Sequence, residues 1–180
     1  MKKILAFAGS NSSQSINRRL VRWASDQVAE SEVTLLDLND FEMPIFSEDR
    51  EREKGIPSEA KAFKNTLRES DAVMISFAEH NGNFSAAFKN IFDWASRIEA
   101  KMWLDKPMFL MATSNGKRGG SSVLEIAVKG FPFRGGEVVA HFSLPSFSEN
   151  FSDENGILDE ELRKEFVKQL ELFDSALAGG

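Results

Sequence analysis

Three short segments hold most of the side chains able to do chemistry. Gly9-Ser10-Asn11-Ser12-Ser13-Gln14-Ser15-Ile16-Asn17 gathers hydroxyls and amides just before an amphipathic stretch. Backbone N–H groups at a helix N-terminus, ringed by hydroxyl donors, make a seat for a small anion such as a phosphate. The plainer alternative is that Ser15 only caps the helix and the rest is a solvated turn. Glu79-His80-Asn81-Gly82-Asn83-Phe84 brings a carboxylate and an imidazole together around a glycine. Ser114-Asn115-Gly116-Lys117-Arg118-Gly119-Gly120 is glycine-rich and carries two adjacent cations.

Other chemistries find little support. The chain has no cysteine, which excludes disulfides, thiolate metal sites and cysteine nucleophiles. His80 and His141 are far apart and lack carboxylates at ligand spacing, so no metal site is expected. His141 falls inside an apolar run and reads as a hydrogen-bonded core residue. Asp153-Glu154-Asn155-Gly156 lacks the alternation and closing Glu of a calcium loop and reads as a turn.

The elements that must position these segments follow from periodicity. Apolar runs at Lys3–Ala8, Val33–Leu38, Ala72–Phe77, Pro107–Thr113 and Val138–Leu144 read as strands. The first, third and fourth are nearly continuous, as parallel strands covered on both faces require. Between them run helical stripes: Leu20, Val21, Ala24 and Val28; Ala60, Phe63 and Leu67; Phe88, Ile91, Phe92 and Ala95; and Leu124, Ala127, Val128 and Phe131. A last stripe, Leu162 to Leu177, opens after Asp159 as cap. Strands alternating with helices predict a doubly wound α/β domain over residues 1–180. Such sheets bind ligands beyond the carboxyl ends of their strands, where the winding reverses. With strand order 2-1-3-4-5 that crevice lies between the loops after strands 1 and 3, where the polar segments fall.

Composition bounds the rest. At 180 residues with 42% hydrophobic and 28% charged side chains, the chain is long enough for one well-formed core. A net charge of −6 argues against a nucleic-acid or anionic-membrane surface, though not against a local basic pocket. Met1-Lys2-Lys3 followed by Ile4–Ala8 imitates a secretory leader, but that apolar run is shorter than the roughly 7–15 residues of an h-region. No stretch reaches the roughly 18 apolar residues of a membrane span. A cytoplasmic protein is expected. A P-loop is absent, no G-x-G-x-x-G follows strand 1, and the acidic residues of a phosphoacceptor domain are replaced by Gly9-Ser10 and Ala78-Glu79.

At this point three segments resemble one family, the NADPH-dependent FMN reductases of flavodoxin-like fold, whose members include quinone, azo-dye and chromate reductases. Its opening motif, strand–Gly-Ser-x-Arg-x-x-Ser-x-Asn, is matched by Gly9, Ser10, Ser15 and Asn17. Its second, Pro-Glu-Tyr-Asn-Gly-Ser-x-Pro-Gly-x-Leu-Lys-Asn-x-x-Asp-Trp, is matched in unbroken spacing by Glu79, Asn81, Gly82, Lys89, Asn90, Asp93 and Trp94. Its third, Ser-x-Gly-x-x-Gly-Gly, is matched by Ser114, Gly116, Gly119 and Gly120, and Met43–Phe46 resembles the segment after strand 2. The resemblance implies a three-layer fold with a five-stranded parallel sheet. It implies that Ser10, Ser15, Ile16 and Asn17 hold the phosphate and ribityl end of FMN. Glu79, His80, Asn81 and Gly82 would line the isoalloxazine, with Ser114 and Gly116 on its other side. Glycine at 82 would let the backbone approach the flat ring. Lys89, Asn90, Asp93 and Trp94 read as packing or subunit-contact residues.

The departures are specific. Ser12 stands where the family has its phosphate-binding Arg, and Arg18 either supplies that charge or is solvated. His80 replaces Tyr, Ser85-Ala86 replaces Pro-Gly, Ala78 replaces Pro, and the chain has no tyrosine at all. FMN binding is therefore expected to be weaker, or the acceptor pocket reshaped. The resemblance implies hydride transfer from NADPH or NADH through FMN to a quinone, azo compound, metal oxyanion or free flavin, in ping-pong fashion. No classical catalytic residue is assigned. His80 is either a proton donor to the acceptor or a ring-edge contact; Lys117 and Arg118 either meet the NADPH 2′-phosphate or are solvated. The rivals are an electron-transfer flavodoxin indifferent to NAD(P)H and a non-catalytic binding protein of the same fold. A homodimer or tetramer is expected, with Phe84–Trp94 and Phe131–Phe133 as candidate contact surface or core.

Overall fold

A computed structural model describes residues 1–179. Five parallel strands form its sheet: β1 Lys2–Gly9, β2 Ser31–Leu36, β3 Ala72–Phe77, β4 Lys106–Thr113 and β5 Gly136–Leu144. Their spatial order is β2-β1-β3-β4-β5, the doubly wound order expected. Because side chains alternate along a strand, each strand supplies both faces. Leu5, Phe7, Val73, Ile75, Met108 and Leu110 point to one side, where they meet α3 (Ser58–Glu69), α4 (Ala86–Ser96) and α5 (Ser121–Gly130). Ile4, Ala6, Met74, Phe109 and Met111 point to the other, against α1 (Ile16–Ser25) and α7 (Glu160–Gly179). All five helical stripes are therefore core-facing. Asp159 caps α7, its Oδ1 accepting the Leu162 N–H at 2.9 Å.

Three expectations need correction. β2 stops at Leu36 because Asp37 turns the chain: its carboxylate accepts the Asn39 N–H at 3.0 Å and caps a 3-10 turn over Leu38–Phe41. His141 is exposed, not core; β5 is an edge strand, and the His141 N–H, with no neighbouring strand on that side, donates to Gln169 Oε1 of α7 at 3.0 Å. Two further helices occur, α2 (Glu48–Lys54) and the single turn α6 (Phe147–Asn150). α2 has no buried residue, so it carries no apolar stripe to read. Asp153–Asn155 do form a turn, between Phe151–Ser152 and Gly156–Ile157 of a small antiparallel ladder. Among the described residues no helix is long and apolar enough to cross a membrane.

Candidate functional site

The ends of β1, β3 and β4 lie in register, Gly9 beside Phe77 and Phe77 beside Ala112, so the three polar segments emerge along one edge of the sheet. One side chain ties them together. Asn17, 3% exposed, accepts the Ser76 hydroxyl at 2.7 Å and the Thr113 N–H at 3.0 Å through Oδ1, and donates to Thr113 O at 3.2 Å through Nδ2. Ser85 pins the start of α4 to the end of β1: its hydroxyl donates to Gly9 O at 2.8 Å and accepts the Phe88 N–H at 3.2 Å.

The first segment folds through its own hydroxyls. Ser10 Oγ accepts the Ser12 N–H, Ser12 Oγ accepts the Gln14 N–H, and Ser15 Oγ caps α1 by accepting the Arg18 N–H at 3.2 Å. Ser15 is thus a cap, as the plainer reading had it. The next two amides, of Ile16 and Asn17, have no acceptor among the described hydrogen bonds. Open first-turn N–H groups of this kind can seat an anion. Arg18 does not supply its charge to that seat: its guanidinium pairs with Asp37 at 2.5 Å. The Asp37 carboxyl is held below its ordinary range chiefly by the Asn39 backbone N–H, with Arg18 adding to the effect.

The second segment is a two-residue hairpin in which Glu79 pairs Phe84 and His80 pairs Asn83. Asn81 and Gly82 both have positive φ, +53° and +73°, the geometry of a I′ turn for which Asn-Gly is the preferred pair. A Cβ at Gly82 would meet no heavy atom within 4 Å, so within the chain it is the turn that requires glycine there. His80 is exposed at the crevice. The Glu79 carboxylate is engaged with a helix: its Oε2 accepts the Val123 N–H at 2.9 Å and so caps the first turn of α5.

The third segment is fastened to the end of β5 and to α6. Gly119 and Gly120 have φ of +56° and +74°; a Cβ would lie 2.7 Å from the Leu144 carbonyl carbon at one and 2.9 Å from Ala112 Cβ at the other. Asn115 Oδ1 accepts the Ser148 hydroxyl at 2.6 Å.

Together these segments enclose a crevice of about 250 Å³. Of the residues singled out in the sequence, Ser10, Ser12, Ser15, Ile16, Asn17, Glu79, His80 and Ser114 line it. Asn81, Gly82 and Gly116 sit in the adjoining turns and do not. Gln14, Ala78, Thr113 and Asn115 line it as well; each is the immediate neighbour of a singled-out residue, which was the available signal. A second hollow of about 360 Å³ lies on the β2 side, between Asn11, Leu38–Ile45 and the start of α4. Its wall is held by the family-motif helix. Asn90 donates to Met43 O and Pro44 O and accepts the Phe46 N–H at 2.8 Å, and Trp94 Nε1 donates to Pro44 O at 2.7 Å. Lys89 and Asp93 form an exposed pair one helical turn apart.

Residues 2–149, strands and loops of this crevice included, match the family model described as NADPH-dependent FMN reductase. The chain belongs to that family. It is accordingly an oxidoreductase of a family that works with FMN and NAD(P)H. It is 30% identical over 179 residues to an NADPH:quinone oxidoreductase of Arabidopsis thaliana, covering 93% of this chain and 87% of that protein. A quinone reductase of Pseudomonas putida is 34% identical over 65% of this chain and 62% of its own length. In fold it resembles a flavoenzyme NAD(P)H:(acceptor) oxidoreductase from Paracoccus denitrificans, with a TM-score of 0.78 at 22% identity over 99% of this chain and 98% of the other. An azoreductase from Bacillus anthracis gives 0.67 at 17% identity over 97% and 100% of the two chains.

Proposed function

We propose that residues 1–180 form one flavodoxin-like FMN-binding domain that passes reducing equivalents from NAD(P)H through FMN to a quinone, azo compound, metal oxyanion or free flavin. The observation that carries this reading is the pair of open amides at the start of α1, at the foot of a crevice bounded by all three family motifs. The Ile16 and Asn17 N–H groups, with the Ser10, Ser12 and Ser15 hydroxyls, would hold the phosphate and ribityl end. Asn17 would act through its main chain, because its side chain is spent on Ser76 and Thr113. The Glu79–Gly82 hairpin would present backbone and the His80 imidazole to the isoalloxazine, with Ser114 and Gly116 opposite. The chemistry that FMN supplies when bound is acceptance of a hydride at N5 and delivery of two electrons to an acceptor.

The protein's part is then positioning. The Asn17 and Ser85 clips fix the three segments relative to one another, which matters because holding donor and acceptor in alignment can supply a large part of a rate enhancement. Glu79 is committed to α5, leaving His80 as the ionisable side chain of the lining free to contact the acceptor. Self-association to a dimer or tetramer would cover the crevice. Phe88, Trp94 and Phe131 are core residues, so within the segments Phe84–Trp94 and Phe131–Phe133 the exposed large apolar side chain left for such a contact is Phe133. The reading expects a cytoplasmic protein. Equilibrium dialysis against FMN tests it: saturable binding is expected, and no binding would leave a non-catalytic relative.

A further inference from the structure

We propose that the hollow on the β2 side seats the apolar ring of an uncharged electron acceptor, and that Glu42 on its rim turns anionic acceptors away; the inference rests on the reductase reading above. At about 360 Å³ the hollow has the size of a small-molecule site. It adjoins the crevice at two of the three segments. Asn11, which lines the hollow, lies between Ser10 and Ser12, which line the crevice, and Ala86 and Ala87 follow closely on the Glu79–Phe84 hairpin. The Ser85 hydroxyl, on Gly9 O, pins these two boundaries together. Of the lining side chains Leu38 and Ile91 are buried and Phe41, Met43 and Ala87 half-buried, which gives an apolar interior. Ile45 is 75% exposed, although its backbone is held on both sides. Pro44 O accepts from Asn90 and Trp94, the Phe46 N–H donates to Asn90 Oδ1 at 2.8 Å, and Ile45 O accepts from Arg50 at 2.5 Å. Covering this fixed aliphatic side chain is favourable in proportion to the area removed from water.

The polar groups of the hollow fix the class of ligand. Asn90 Nδ2 is spent on Met43 O and Pro44 O, and Asn39 Nδ2 on Asn11 O and Asp37. The Asn11 side-chain amide takes no partner among the described residues, so it is the donor left for a ligand carbonyl. The Glu42 carboxylate is in none of the ion pairs among the described residues, and no Lys, Arg or His lines the hollow. An anion entering it meets a carboxylate and no cation, a juxtaposition that costs affinity and selects against that ligand. An uncharged ring with a carbonyl meets an apolar interior and one open amide. Of the acceptors named above, an uncharged quinone fits; a metal oxyanion and free FMN, both anionic, do not. The reduction balances with the nucleotide that the reductase reading supplies. NAD(P)H gives a hydride and solvent a proton, the quinone leaves as its hydroquinone, and the oxidised nucleotide is released.

The test uses the full chain loaded with FMN. Calorimetric titration without NAD(P)H compares a naphthoquinone with the naphthoquinone sulfonate of the same ring, so that the probes differ by one negative charge. The uncharged probe is expected to bind about 5-fold or more tightly, the scale of one like charge met at close range in water. Glu42→Gln is expected to close that gap and Glu42→Lys to reverse it, with FMN affinity unchanged because Glu42 does not line the crevice. Ala87→Leu, which fills the interior, is expected to weaken both probes roughly 10-fold. With NADPH added, kcat/KM for the two probes should follow the same order. Equal binding of the two probes by wild type, or a gap that Glu42→Lys leaves in place, overturns the inference, while FMN binding and NADPH oxidation keep the reductase reading. Ala87→Leu that lowers the mass in solution and leaves probe binding unchanged assigns the hollow to a second copy of the chain, and overturns the inference as well. A chain that binds the naphthoquinone as expected but oxidises no NAD(P)H overturns the reductase reading and, with it, the acceptor role of this seat.

Discussion

Asn17 on α1 and Thr113 at the end of β4 are joined by both halves of a side-chain amide: Oδ1 accepts the Thr113 N–H at 3.0 Å and Nδ2 donates to Thr113 O at 3.2 Å. With the Ser76 hydroxyl also on Oδ1, this one buried side chain sets the spacing of the segments after β1, β3 and β4. Removing it orphans buried polar groups at about 1–3 kcal/mol each. Asn17→Ala is expected to lose about 3 kcal/mol or more, that is at least roughly 6–12 °C in Tm for a chain of this size, and to weaken FMN binding in parallel. Calorimetry and FMN titration of the same variant check this. FMN affinity lost at an unchanged Tm would mean that the Asn17 side chain is a ligand contact instead.

Ser12 and Arg18 make a second prediction. The phosphate seat proposed at α1 has hydroxyls and amides but no fixed cation, because Arg18 is held by Asp37. Ser12→Arg should tighten FMN binding about 10-fold or more and make it fall with rising salt. Riboflavin, which lacks the phosphate, should gain nothing. An equal gain for both flavins would place the new side chain on the ring, against this account.

Lys64 and Glu99 predict a pH dependence away from the crevice. The Lys64 ammonium is fully buried, donates to Met102 O, and meets Glu99 at 3.1 Å. Burial lowers the Lys64 pKa, and the hydrogen bond from Lys64 lowers that of Glu99 below 4.5. A carboxylate with a depressed folded pKa contributes stability that is full above its unfolded value and is lost as pH falls through the folded one. Glu99→Gln should therefore cost stability near neutral pH, on the order of 1 kcal/mol because Glu99 is 40% exposed. The gap from wild type should close in urea melts below pH 4.5, as Glu99 protonates. Lys64→Met should be closer to neutral than Glu99→Gln, since it removes the buried charge instead of stranding it. The reverse order would contradict the assignment.

Much of this architecture was legible because it is written locally. Ala72–Phe77 is an apolar run broken only by Ser76 and is β3 to the residue. The Leu20–Ala24 stripe and the Asp159 cap place α1 and α7 directly. What escaped depends on partners distant in sequence. Nothing near Glu79 signals that its carboxylate will cap a helix beginning at Ser121, and nothing near Arg18 signals that Asp37 will claim it. His141 has apolar neighbours in sequence, yet its exposure follows from β5 being an edge, which only the finished sheet decides. α2 escaped for the opposite reason: it buries nothing, so capping by Ser47 and its charge pattern are its whole signal.

The central claim is that this crevice couples NADPH to a bound flavin, and anaerobic addition of NADPH to the FMN-loaded chain tests it most directly. Visible flavin absorbance is predicted to bleach promptly, without a lasting one-electron spectrum, and to return when a quinone is added. Flavin that binds and stays yellow in excess NADPH would contradict the claim and mark the chain as an electron carrier.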